Sequence, residues 1–328
     1  MLLRRLKTAF HDHIRLKSRP GASHRPHPPV IPIHTPGKRT CRRSVLSRCL
    51  ALVVVLLPAA GAAQPRSGIA YWDLDHLHDT IPALFYNDTD YTPGGRLKWD
   101  SERYRRKIRN TAAVIDSMRL PLVALWGVEN EAVVRDIAAA CEGAYSYLHR
   151  TLNSFDGMDF ALLYYGDLFD PTYDEPGRRY LYIEGTLRHP ARRVAGRPVQ
   201  PARTDTIGLV LCSDTRMAAW VVRDLREERP GVKLIVAGRS SSLDPAAYGL
   251  RDALERPARL GRGNVRRRTG WLMRDRILAD TALRTTAGDV FARRYLVDAK
   301  TGIPVPTYEK GRYKGGYGYA LPIFVYLE

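Results

Sequence analysis

The sequence predicts one α/β domain, spanning residues 64–328, behind a basic leader of residues 1–63. Apolar runs of strand length alternate with amphipathic helical stretches from Ile69 onward. No Pro/Gly-rich linker or internal repeat divides that span. A chain of 328 residues is also long enough to bury a sizeable core.

The leader comes first because it distorts the composition. The formal net charge is +18, which on its own points to nucleic acid or another acidic partner. Residues 1–63 hold 12 Lys and Arg against one Asp, so the remainder carries 40 basic against 33 acidic residues, a net charge of +7. Basic residues Arg39, Arg42, Arg43 and Arg48, the apolar run Leu50 to Leu57 and the small residues Gly61-Ala62-Ala63 follow in the order of a secretory signal peptide. The run is far short of the roughly 20 residues that span a bilayer. We therefore expect export, periplasmic or extracellular, after cleavage near Ala63, with no transmembrane segment in the mature chain. The preceding 38 residues are rich in Pro and His without helical or strand period, and suit either a start codon placed too early or a disordered leader. Cys49 precedes the apolar run, which argues against a lipid-modified cysteine. Loss of the leader would leave Cys141 and Cys212, whose pairing sequence alone does not decide.

The first helix is expected after Trp99, capped by Asp100, with Tyr104, Ile108, Ala112 and Ile115 at helical spacing and Arg103, Arg106 and Lys107 on the exposed face. Leu122 to Trp126 reads as a strand, and Val133, Val134, Ile137 and Cys141 mark a second helix. Phe160 to Tyr164, Tyr180 to Glu184 and Ile207 to Cys212 have strand composition. A helix capped by Asp214 presents Met217, Ala218, Val221, Val222 and Leu225 on one face and stops before Pro230-Gly231. A buried strand, Lys233 to Ala237, follows. Asn264 to Met273, Ile277 to Ala279 and Leu321 to Leu327 are shorter strand candidates, and the lack of long helices between them predicts antiparallel pairing.

Several strings, in order along the chain, resemble secreted bacterial members of the endonuclease/exonuclease/phosphatase family. Residues 70–79, Ala-Tyr-Trp-Asp-Leu-Asp-His-Leu-His-Asp, resemble a first strand that ordinarily reads Phe-Tyr-Asn-Val-Glu-Asn-Leu-Phe-Asp, and Tyr91-Thr92-Pro93-Gly94-Gly95 with Trp99 resembles the loop after it. Pro121 to Asn130 resembles a strand-end motif closing in Glu-Val-Glu-Asn, and Gly157 to Tyr164 resembles a further strand. Ile235 to Gly238 with Leu243-Asp244-Pro245 frames a loop, and Gly315-Gly316-Tyr317 with Leu321-Pro322 frames the last motif. The resemblance implies a four-layer α/β/β/α sandwich, DNase I-like, of two packed mixed, mostly antiparallel sheets. It also implies Mg²⁺-assisted phosphoester hydrolysis, which needs carboxylate ligands and a group that activates water.

The same resemblance locates what is missing. The first-strand Asn is Asp73, and the ligand Glu of the strand-end motif is Gly127. The Gly-Asp-x-Asn loop becomes Gly238-Arg239-Ser240-Ser241, and the terminal Ser-Asp-His becomes Gly318-Tyr319-Ala320. No His occurs near Cys212-Ser213-Asp214, where an Asn-His-Trp-Pro type string would fall. Losing one preorganised polar group costs roughly 10²–10³ in rate, and such losses do not act independently. These replacements imply a pseudoenzyme.

Other residues could carry function instead. Glu129 could act as a migrated metal ligand, and Asp73 and Asp75 could form a relic or new site, although extended backbone would put His76 and His78 on the opposite face. Arg239, Ser240 and Ser241 suit a metal-free anion site, because guanidinium and hydroxyl donors fit phosphate or carboxylate oxygens. Arg266, Arg267 and Arg268 read as a solvated hairpin, and Tyr313, Tyr317 and Tyr319 as a stacking platform or as filling. The sequence thus favours an exported, inactive protein with an anion pocket and no cofactor, binding a phosphate-containing or other anionic ligand ahead of nucleic acid. The alternative is an active metal-dependent phosphodiesterase or nuclease with a relocated site, which alone would require Mg²⁺ or Mn²⁺.

Overall fold

The computed structural model describes residues 66–328, apart from 153, 195 and 196. The leader, its apolar run, the cleavage site near Ala63, Cys41 and Cys49 lie outside the described residues.

Twelve strands build two six-stranded sheets. The first contains β1 (Gly68–Leu77), β2 (Leu122–Val128), β3 (Ser146–Arg150) and β4 (Asp159–Tyr164), and two later strands, β11 (Thr285–Val290) and β12 (Ile323–Leu327), in the order β11-β12-β1-β2-β4-β3. The second contains β5 (Phe169–Pro176), β6 (Tyr180–His189), β7 (Arg203–Cys212), β8 (Lys233–Gly238), β9 (Leu250–Asp252) and β10 (Arg276–Asp280), in the order β9-β10-β8-β7-β6-β5. Each sheet has one parallel pair, β1 with β2 and β7 with β8, and is otherwise antiparallel.

Strand alternation explains how the sheets pack. Leu209 and Leu211 of β7 join Leu181, Ile183, Ile235 and Ala237 in a core shared with the first sheet. Their neighbours Val210, Cys212, Tyr182 and Val236 face the other way, against α3 (Thr215–Glu228). Ala218, Val221, Val222 and Leu225 of that helix are buried on this face, and each fully buried Val or Leu side chain contributes about 1.5–3 kcal/mol. On the far side of the first sheet, α1 (Ser101–Met118) and α2 (Glu131–Ala140) bury Ile108, Val114, Ile115, Val133, Val134 and Ile137. Two mixed sheets therefore lie between helices, the arrangement of the DNase I-like sandwich.

The caps form where the sequence places them. Asp100 accepts from Glu102 N and Arg103 N at 3.0 and 2.9 Å, and Asp214 from Arg216 N and Met217 N at 3.0 and 3.2 Å. Such caps are worth about 1 kcal/mol each. Two local expectations fail. Lys107 is buried, because the loop before β12 closes over this turn of α1 and takes its ammonium. Asn264 to Met273 is a hairpin, Val265–Arg267 against Gly270–Leu272, with Arg266, Arg267 and Arg268 exposed around its turn. Cys141 and Cys212 are free thiols, half-buried and buried respectively.

Candidate functional site

The ends of β1, β2 and β8, the start of β10 and the loop before β12 converge at one end of the sandwich. Parallel pairing sets this up by directing β1 and β2 to a common edge, with Asp73 beside Trp126 and therefore next to Gly127. At Gly127, φ is +86°, and a Cβ there would stand 3.8 Å from Asp73 Oδ1 and 3.4 Å from His76 N. Gly127 thus adjoins Asp73 without a side chain, and its backbone disfavours one.

Asp73 is 3% exposed, and its carboxylate is occupied. Its Oδ1 accepts from Asp75 N at 3.1 Å, while Oδ2 accepts from the Tyr319 hydroxyl at 2.9 Å and from Arg274 at 2.8 Å. Arg274 also bonds the adjacent Asp275 at 2.6 Å and donates to Tyr319 at 2.7 Å, with its guanidinium stacked over the Tyr319 ring. Asp275 is anchored in turn by Asn264 Nδ2 at 2.6 Å. Burial opposes the charge on Arg274, but Asp275 and then Asp73 more than offset this and hold its pKa above the ordinary arginine range. Burial, then Asp73, pushes the Tyr319 phenol up to about 12, so it remains a neutral donor to the carboxylate. Burial and then Asp275 and Asp73 likewise raise Tyr71, on the inner face of β1.

A second ionisable pair lies beside this cluster. Positive φ at Asp75 and His76, 60° and 55°, interrupts the extended strand, so the expected sharing of one face by Asp73 and Asp75 does not describe the site. Burial raises the Asp75 pKa to about 6, partly opposed by Lys107. Burial lowers that of Lys107 to about 8, and its ammonium donates to Thr307 Oγ1 at 2.8 Å and to Tyr317 O at 2.6 Å.

Gly238, with φ +112°, turns the chain into Arg239 where a Cβ would stand 2.2 Å from Cys212 O and 3.1 Å from the Tyr71 ring. The Arg239 guanidinium is 38% exposed and stands 3.8 Å from Asp73 Oδ2, so most of its donors remain free for a ligand. Ser240 is buried, and its hydroxyl has no partner among the described residues. Ser241 is exposed, and Ser242 is tied to Thr215, the first residue of α3, at 2.9 Å. Of these residues Arg239 presents free donors to solvent, whereas the Ser240 hydroxyl is fully buried.

Glu129 does not complete a site with Asp73. Its oxygens face His78 Nδ1 at 3.2 Å, Asp79 N at 2.6 Å and the Tyr86 hydroxyl at 2.8 Å, because the chain beyond β2 turns toward the loop after β1. Ala320 is buried and offers its carbonyl to Trp72 Nε1 at 3.0 Å. The three tyrosines do not form a platform either: Tyr317 packs on Tyr295, and Tyr313 packs on Tyr308 and Arg103. Sequence reasoning missed Arg274, Asp275 and Asn264. Its one signal was the charged triplet Arg274-Asp275-Arg276 directly before a buried apolar strand. A groove of about 1340 Å³ runs elsewhere, past Arg119, Phe324 and Tyr326, and holds none of these residues. Among the described residues no helix is long and apolar enough to cross a membrane.

Comparison with known proteins places this geometry in context. Residues 68–187 match the Endonuclease/Exonuclease/phosphatase family. An endonuclease/exonuclease/phosphatase family protein from Bacteroides thetaiotaomicron superposes with a TM-score of 0.51 at 12% identity, covering 80% of this chain and 97% of that one. A humanized D. rerio TDP2 gives a TM-score of 0.48 at 13% identity, covering 80% and 99%. No curated protein matches by sequence.

Proposed function

We propose that this chain, with an endonuclease/exonuclease/phosphatase fold and a match to that family over residues 68–187, is an exported, catalytically inactive relative of the phosphoester hydrolases that keeps an anion-binding pocket. One observation carries the reading: the Arg274 guanidinium bridges Asp73 and Asp275 in the place where a hydrolase of this fold would gather a cation. Guanidinium neutralises carboxylates but does not act as a Lewis acid or generate hydroxide at neutral pH. The residues here do not fit Mg²⁺, since Gly127 offers no ligand atom and the Arg274 guanidinium already neutralises Asp73.

Binding would rest on Arg239. Its side chain is partly exposed at the rim, and guanidinium donors suit phosphate or carboxylate oxygens. The test is hydrolysis of supercoiled DNA and of a generic phosphodiester by the purified chain, with Mg²⁺ or Mn²⁺ and a chelator control, beside calorimetric titration with pyrophosphate. We expect no metal-dependent turnover, and pyrophosphate binding that weakens in Arg239→Ala. Chelator-sensitive turnover abolished by Asp73→Asn would instead establish an active phosphodiesterase.

A further inference from the structure

Asp73 has Arg274, but a second group of buried acids has no arginine or lysine bonded to it among the described residues. Asp88 and Glu129 are 4% exposed and His78 5% exposed, and one ligand atom from each lies within 4.8 Å of the others. Two segments bring them together: His78 and Asp88 lie in the connection between β1 and α1, and Glu129 follows β2. Ring stacking of His78 on Tyr91, 4.0 Å between centroids, and the bond from Trp99 Nε1 to His78 O at 3.0 Å fix the imidazole at the cluster.

The hydrogen bonds leave the group short of positive charge. Glu129 receives the Asp79 amide and the Tyr86 hydroxyl, both neutral donors, besides His78. Asp88 receives only the Ala83 amide, on Oδ1 at 3.0 Å, so its Oδ2 has no hydrogen-bond donor among the described residues. Two buried carboxylates within a few ångströms repel strongly, and a lone imidazole neutralises at most one of them.

We propose that His78, Asp88 and Glu129 form a binding site for a divalent transition-metal ion of the Zn²⁺ or Mn²⁺ class, sharing no ligand with the Asp73 cluster. One imidazole nitrogen and two carboxylate oxygens match these borderline ions, whereas Mg²⁺ and Ca²⁺ prefer all-oxygen shells. A cation about 2.1 Å from each ligand atom holds the three roughly 3–4 Å apart, so the longest separation in the group shortens by at most about 1–2 Å on binding. Solvent completes the coordination. The connection between β1 and α1 also carries the exposed side chains Ile81, Leu84 and Phe85.

The test uses the full chain, titrated with Co²⁺ followed by its visible absorption and with Zn²⁺ by calorimetry. Because the leader contains histidines and cysteines of its own, the readout is the difference between the wild type and two variants, Asp88→Asn and His78→Gln. Asp88→Asn keeps the acceptor for Ala83 and so preserves the loop. We expect each variant to lose one equivalent, or to bind it at least ten-fold more weakly, with altered Co²⁺ bands and a smaller rise in Tm on adding Zn²⁺. Equal stoichiometry, affinity and spectra in the wild type and both folded variants would overturn the proposal. So would displacement of the bound ion by equimolar Mg²⁺.

Discussion

Replacing Arg274 with Ala would test the internal cation directly. The side chain is 12% exposed and bonds two carboxylates, on Asp275 and Asp73, that are 1% and 3% exposed. Removing one partner of such a pair strands a buried charge and typically costs about 3–5 kcal/mol. Asn264 still bonds Asp275, and Tyr319 still bonds Asp73, so the loss should stay within that range although two pairs are broken. For a domain of this size each kcal/mol shifts Tm by about 2–4 °C, which gives a fall of roughly 6–20 °C. Urea unfolding and thermal melts measure it, and Arg274→Lys should recover part of the loss, because an ammonium keeps the charge without the planar fork. Millimolar Mg²⁺ should raise Tm in Arg274→Ala more than in the wild type, since the vacated space lies between two acids. An alanine variant within about 1 kcal/mol of the wild type, insensitive to Mg²⁺, would refute the view that Asp73 and Asp275 require a cation.

Gly127→Glu should not restore hydrolysis, and it should cost about 1–2 kcal/mol because φ is +86° there; a gain of chelator-sensitive turnover would contradict this. Asp75, with its pKa raised from 3.8 to about 6, contributes stability that is full below pH 4 and lost as pH rises through 6. Asp75→Asn should therefore flatten the fall in stability across that window, on the order of 2 kcal/mol, as read from urea midpoints against pH. Arg239→Ala should weaken pyrophosphate binding by at least roughly ten-fold with little change in Tm, because the side chain is half-exposed and its ion pair with Asp73 is long; equal affinity would place any anion site elsewhere.

The parts of the fold set by local pattern were legible in the sequence. Alternation in Leu209-Val210-Leu211-Cys212 assigns each residue to one side of the second sheet, and Asp100 and Asp214 announce helix starts three residues ahead of their bonds. Charged residues were the hard part, because their burial depends on partners distant in sequence. Lys107 reads as solvated by helical period, yet Thr307 and Tyr317, 200 and 210 residues away, remove it from water. Arg274 meets Asp73 across 201 residues, and a triplet of Arg-Asp-Arg resembles a surface turn until that contact is known. Glu129 was legible as a residue beside the degenerate position, but its direction was not. The turn after β2 carries it to His78 and Tyr86.

On the proposed reading, electrostatics explains how such a site would lose its chemistry and keep its shape. Two acids converging at the ends of β1 and β10 repel each other when buried, so the fold demands a cation between them. A metal ion meets that demand with charge, and so does a guanidinium, which adds fixed hydrogen-bond directions and needs no ligand at Gly127. The substitution is asymmetric in its consequences. A metal has coordination positions open to water or phosphate, whereas Arg274 spends its donors on Asp73, Asp275 and Tyr319 and offers none of that chemistry. Arg239, an accessible cation at this end, sits at the rim, so on the proposed reading an anion would dock there without being activated, and binding and turnover should separate.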